Sequence, residues 1–172
     1  MASIGHVAVG LAAGRAFTKD AALAKKAMVA FSIVSLWPDV DAVGFLFGVR
    51  YGDVWGHRGA THSLTLALAA GALAYVLAMR WKLPALRTAV YTAVVAASHG
   101  LFDTMTYGGG LGCALLWPFS TVRYWAPFRF IPIAPIGLAI LSPYGVRVMM
   151  AEVILFAPFW IYAFMPRRQT AS

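Results

Sequence analysis

No charged residue interrupts the chain between Leu64 and Met79, nor between Ala27 and Trp37, and runs of this kind leave a backbone few ways to fold. Away from water every N–H and C=O must be satisfied within the fold, and a helix does this inside one segment. Composition makes the setting explicit. Of 172 residues 61% are hydrophobic and 12% charged, with a mean hydropathy of +0.74, six Trp and eleven Phe. These values lie outside the soluble globular class and point to a single integral-membrane domain over residues 1–172.

Five apolar segments can be drawn, at 4–17, 21–37, 64–79, 86–107 and 148–165. Asp20 is a fitting N-cap for the second, Thr61 and Ser63 for the third, and the turn containing Pro84 separates the third from the fourth. From 108 to 146 the pattern breaks at Pro118, Pro127, Pro132, Pro135 and Pro143 into pieces too short to span. The expected fold is an all-α polytopic transmembrane helical bundle of about five spans plus short re-entrant or interfacial helices. Met1 to His6 lacks the positive start of a signal peptide, so the first apolar segment is read as part of the mature fold. The lone Cys113 has no disulfide partner within the chain and reads as a small buried hydrophobe.

Lys and Arg number 14 against six Asp and Glu, a net charge of +8. They sit at the ends of apolar stretches rather than in a basic stripe, as in loops facing anionic lipid headgroups, and nucleic acid is not an expected partner. Arg80, Lys82 and Arg87 place the turn between the third and fourth segments in the cytoplasm, and Arg15, Lys19, Lys25 and Lys26 do the same for the first hairpin. Arg167 and Arg168 agree with five spans and an outer N-terminus. Arg123, Arg129 and Arg147 agree less well, since they would lie on the outer side.

With that topology the polar islands of the chain meet at one membrane face. His6 opens the first segment, Asp39 and Asp41 close the second, His57 and His62 lead into the third, and His99 and Asp103 lie far along the fourth. Intramembrane His and Asp are costly and read by default as functional. His99 and Asp103, four apart, share a helix face, as two ligands of one ion must. His57 and His62, five apart, would diverge by about 140° on a regular helix and so need a loop around Gly59. Such N and O donors suit Zn, Mn or Fe. A single membrane His or Asp is more often an interhelical hydrogen-bonding group than a ligand, but seven at one face would be an expensive way to gain small packing energies. Asp53 reads as a solvated loop residue near Arg50, Glu152 as a partner for a base such as Arg147, and the Trp and Tyr scatter as an interfacial belt.

The motifs Trp-Pro-Asp-Val-Asp (37 to 41), His-Arg-Gly-Ala-Thr-His-Ser (57 to 63) and His-Gly-Leu-Phe-Asp-Thr-Met-Thr-Tyr-Gly (99 to 108), in this order after an N-terminal His and followed by Leu116-Trp117-Pro118-Phe119-Ser120, resemble the YdjM-like family of LexA-regulated inner-membrane proteins, predicted metal-dependent hydrolases. The resemblance implies a multispanning inner-membrane protein with a metal-hydrolase site, mapping onto His6, Asp39, Asp41, His57, His62, His99 and Asp103.

The expected function is hydrolysis of an ester or phosphoester by a metal-activated water, with two divalent ions, Zn before Mn or Fe, because seven ligands exceed one tetrahedral ion. Asp41 or Asp39 is the expected general base, and Arg58 a holder for an anionic group. A site at the lipid boundary, facing outward from the inner membrane, suggests a lipid or lipid-linked substrate. The alternative is a divalent metal-ion transporter or sensor using the same His and Asp ligands. That reading predicts ligands on a path to both sides, whereas the cytoplasmic half shows only Lys and Arg.

Overall fold

The computed structural model describes residues 3–167, which leaves Arg168 outside the described residues. Six α-helices carry the fold: α1 Ser3–Phe17, α2 Ala21–Leu36, α3 Leu64–Arg80, α4 Ala85–Thr104, α5 Pro143–Leu155 and α6 Ala157–Phe164. α1 packs along α2 and also touches α4, α5 and α6, while α3 packs along α4. The two expected caps hold: Asp20 accepts from the Leu23 N–H and Ser63 from the Leu66 N–H. Thr61 has another use, described below.

The α1 and α2 backbones nearly touch. A Cβ built on Gly14 would overlap the backbone of Ala27 and Met28, and one on Gly10 the backbone of Phe31 and Ser32. In lipid, where apolar burial drives helix association weakly, this close approach is the main source of packing energy. Below it Phe17, Ala27, Phe31 and Val95 form an apolar layer. At the end of α1 remote from His6, basic side chains close over the last carbonyls. Arg87 donates to Ala16 O, Arg15 to Ala163 O, and Arg167 to the carbonyls of Lys19 and Arg15.

Three segments differ from the sequence expectation. The second apolar run does not end in a turn at Asp39 and Asp41; it continues as a 3-10 helix, Trp37–Phe47, so that Ala21–Phe47 is one rod of 27 residues. Pro38 sits at the switch from α to 3-10 winding, where the Trp37 N–H already closes on Val34 O, so its missing N–H tightens the rod there without ending it. The last run is not one helix from 148 to 165. It starts earlier, at Pro143, and bends by 63° between α5 and α6, because Pro158 cannot donate to the carbonyl of Ile154. Finally, among the described residues Ala21–Phe47 alone is long and apolar enough to cross a membrane by itself, and the bent α5 and α6 pair counts as a second only if taken as one span. The expectation of about five such helices overstates their length and apolarity: α1 has 15 residues and α3 has 17, and polar groups interrupt α4.

The stretch 105–142 is not a span. Thr106–Tyr107 and Ile131–Pro132 make a two-residue parallel pair, and Cys113 bridges to Tyr124. Burial pushes the Cys113 thiol well above its usual value.

Because the α1 and α2 contact is backbone on backbone, Gly14→Ala should lower stability by about 1–3 kcal/mol, whereas Ala72→Val on the exposed face of α3 should stay within about 0.5 kcal/mol. Thermal unfolding of the two variants in one detergent checks the contrast.

Candidate metal centre

α4 positions two groups through its period: His99 and Asp103 are buried on one face. α1 brings His6 flat against His99, with ring centroids 3.6 Å apart and planes inclined by 12°. The 3-10 segment supplies Asp39 and Asp41, and the loop before α3 supplies His57, Arg58 and His62. All seven expected residues thus meet at one end of the bundle.

Two groups of donors converge within it. In the first, ligand atoms of Asp39, His62, His99 and Asp103 lie within 4.8 Å of one another; in the second, those of Asp41, His57 and His62 do. Hydrogen bonding distinguishes their roles. His99 Nδ1 lies 2.6 Å from the carbonyl oxygen of Ser35, which only accepts, so the proton is on Nδ1 and Nε2 presents a lone pair. His62 Nδ1 lies 3.2 Å from Asp41 Oδ2, and the same logic puts its proton there. The two Nε2 atoms then face each other at 3.1 Å. Asp39 Oδ1 stands 3.2 Å from His99 Nε2 and 3.7 Å from His62 Nε2, and Asp103 Oδ2 stands 3.7 Å from His62 Nε2. Lone pairs and carboxylate oxygens crowd one point. Only a cation satisfies such a set, and these donors fit a divalent metal.

A proton can substitute for it. Burial works to lower the His62 pKa, but hydrogen bonds to Asp39 and Asp41 outweigh burial and raise it to about 9. A proton on His62 would therefore stand where an ion could bind, and metal uptake would release it.

Asp41 differs from Asp39 in kind. Its Oδ1 receives His57 Nδ1 at 2.7 Å, and its Oδ2 receives Thr61 Oγ1 at 2.6 Å and the Arg58 N–H at 3.2 Å, besides His62. A carboxylate so engaged orients ligands, as the partners behind metal-binding histidines do. Arg58 is buried and pairs through Nε with Asp103 Oδ2 at 3.0 Å, while its Nη1 donates to Thr106 Oγ1 and Leu111 O. Its φ of 64° is left-handed, unusual for a side chain this large. His6 Nε2 is buried, lies 3.5 Å from Asp103 Oδ1, and has no hydrogen-bond partner among the described residues.

The chain matches the model of the YdjM inner membrane protein family over residues 1–170. It belongs to that family. Inner membrane protein YbcI of Escherichia coli strain K12 is 37% identical to it over 153 residues, 88% of this chain and 87% of the relative. No solved structure matches significantly. The family member is thus an inner-membrane protein with a His and Asp cluster able to hold a metal ion.

Several contributors were not read from the sequence. Thr61 donates to Asp41 rather than capping α3, and its place between His57 and His62 is the one sign of this in the sequence. Arg123, awkward for topology, donates to the carbonyls of Tyr51, Asp53, His57 and Gly112 and so fixes the His57 loop. Ser35 acts through its carbonyl, which no side-chain motif reveals. Glu152 accepts the Gly5 N–H at 3.0 Å rather than pairing with Arg147, which bonds Pro143 O in its own helix. Asp53 stays in its loop with Arg50, as expected.

Metal analysis of the purified protein should separate these roles. His99→Ala should remove bound metal, Asp41→Asn should weaken affinity by about 10–100-fold without abolishing it, and Asp53→Ala should leave it unchanged. Wild-type affinity should rise with pH up to about 9, because His62 must lose its proton to bind; a flat profile would remove His62 from the ligand set.

Proposed function

We propose that the protein is a membrane-bound metal-dependent hydrolase acting on an ester or phosphoester of a lipid or lipid-linked molecule. The supporting observation is the all-acceptor convergence of Asp39, His62, His99 and Asp103 beside a cavity. That cavity, about 310 Å³, is lined on its polar side by Asp39, His57 and Arg58. The four residues would hold the ion, with His6 adjacent, and zinc is the metal their donor types favour. A divalent ion there supplies Lewis-acid polarisation of the scissile group and lowers the pKa of water toward neutrality.

The chain's own groups divide the remaining work. With Nδ1 committed to Asp41, His57 has Nε2 left for proton transfer at the cavity wall. The His57 and Asp41 pair therefore takes the general-base role expected of a lone carboxylate, with Asp41 fixing the tautomer and stabilising the imidazolium. Asp39, the other candidate base, is better placed as a ligand. Arg58 neutralises Asp103 and stands in the cavity wall with Nη2 unengaged. A second ion in the Asp41, His57 and His62 group would compete with the four donors already on Asp41, so the first group is the stronger seat.

The Ala21–Phe47 rod serves as the principal crossing and α5 with α6 as a second, bent one, with the shorter helices packed against them. The basic cluster of Arg15, Arg87 and Arg167 marks the cytoplasmic end, and the metal cluster faces outward. The apolar layer of Phe17, Phe31 and Val95 separates the two, which disfavours a transport path.

Metal content and hydrolysis of phospholipid and phosphoester probes, measured on detergent-purified protein, test the activity. His57→Gln should keep the metal and lose about 10²–10⁴-fold in turnover, while His99→Ala should lose both. A wild-type protein that retains metal but hydrolyses no probe would overturn the hydrolase reading. Sidedness has its own test: a cysteine at Val54 should react with an impermeant thiol reagent on intact cells, and one at Lys26 only after the membrane is broken. Buried Cys113 gives no background. The reverse order would make the site cytoplasmic.

A further inference from the structure

The cavity beside the metal cluster has two unlike walls. Asp39, His57 and Arg58 form one; Ile133, Ile136 and Ile140, from the segment between the short strand pair and α5, form the other. The second wall continues outward into unburied apolar side chains: Leu138 is 86% exposed and Leu141 70%. In an inner-membrane protein these residues meet lipid rather than water. At about 310 Å³ the cavity is at the lower limit of small-molecule pockets. It has room for a headgroup and the first few methylenes, but not for two acyl chains.

We infer that this cavity binds an amphiphile by its phosphoryl headgroup, held at the Arg58 wall, with the adjoining aliphatic chain running along Ile136 and Ile140 and leaving past Leu138 into the bilayer. This rests on the hydrolase reading for the chemistry at the headgroup but makes a separate claim about recognition. Arg58 is suited to the headgroup because Asp103, Thr106 and Leu111 hold its Nε and Nη1, so the remaining Nη2 donors are fixed in place and binding a phosphoryl group costs little further ordering. The isoleucine wall is suited to the chain because each methylene it covers contributes to affinity in proportion to apolar area. A soluble phosphate ester lacks that contribution. The 133–141 segment is therefore the specificity element, and it belongs to neither the metal-ligand set nor the proton-transfer pair.

The test is binding, read apart from turnover, on the full chain loaded with zinc in a phosphate-free maltoside detergent. Isothermal titration with monohexanoyl lysophosphatidic acid, below its micelle concentration, should show at least about tenfold tighter binding than glycerol phosphate, which has the same headgroup chemistry and no chain. Ile136→Asp, at an exposed position that should not disturb folding, should erase most of that difference while zinc content stays at the wild-type level. Equal affinity for the two probes, or an Ile136→Asp protein that keeps the full preference for the chain, would overturn the inference. Chain-dependent binding without hydrolysis of any probe would leave this inference standing and sink the hydrolase reading instead; hydrolysis of glycerol phosphate as efficient as that of the lipid would do the reverse.

Discussion

Three carboxylates, Asp39, Asp41 and Asp103, and four imidazoles are drawn into one end of an apolar bundle, and the rest of the structure is arranged around satisfying them. Uncompensated, each buried charge would cost several kcal/mol by the usual estimate of about that size per ion. Arg58 offsets Asp103, and His57, Thr61 and a backbone N–H offset Asp41. Between His62, His99 and Asp39 the acceptors outnumber the donors. A proton covers that deficit in part and a divalent ion covers it better, so the same imbalance that endangers the fold is what makes the site a metal seat.

Delivering these groups to one point requires unusually close helices. Gly10 and Gly14 let α1 approach α2 until their backbones touch, which brings His6 against the ring of His99. Glu152, buried in α5, accepts the Gly5 N–H one residue before His6 and so fixes the start of α1 by a side-chain bond to the first turn of the helix. On the other side Arg123 draws four carbonyls of the His57 loop and its surroundings together. Each of these residues acts on the cluster by fixing backbone, and none contributes a ligand atom.

That distinction explains what the sequence revealed. The gathering of His6, Asp39, Asp41, His57, His62, His99 and Asp103 was legible because helix period and alternation of apolar segments place side chains without knowledge of contacts. The all-helical class was legible for the same reason. What was not legible depends on backbone geometry and on three-dimensional pairing. Pro38 signalled a turn but sits at the switch from α to 3-10 winding. Pro158 lay inside an unbroken apolar run whose hydropathy concealed the 63° bend. The Ser35 carbonyl, one of the strongest constraints on His99, has no signature in residue type. Arg58 is expected as a holder for an anionic group, and residue type does not show that Asp103, Thr106 and Leu111 occupy its Nε and Nη1, which leaves only Nη2 for that task.

The 3-10 continuation also carries the division of labour within the Pro-Asp-Val-Asp motif. On an α-helix, residues two apart diverge by about 200°, so Asp39 and Asp41 would point to opposite sides and one of them would face lipid. At three residues per turn they stand about 120° apart, and both can reach the same cluster from adjacent sides. Asp39 meets the Nε2 atoms of His62 and His99, and Asp41 meets the Nδ1 atoms of His57 and His62. His62 is thus held between the two carboxylates, one on each ring nitrogen. A single tightened turn lets two aspartates of one short motif serve as ligand and as orienting group, and a relaxed α-helical register there would forfeit one of the two.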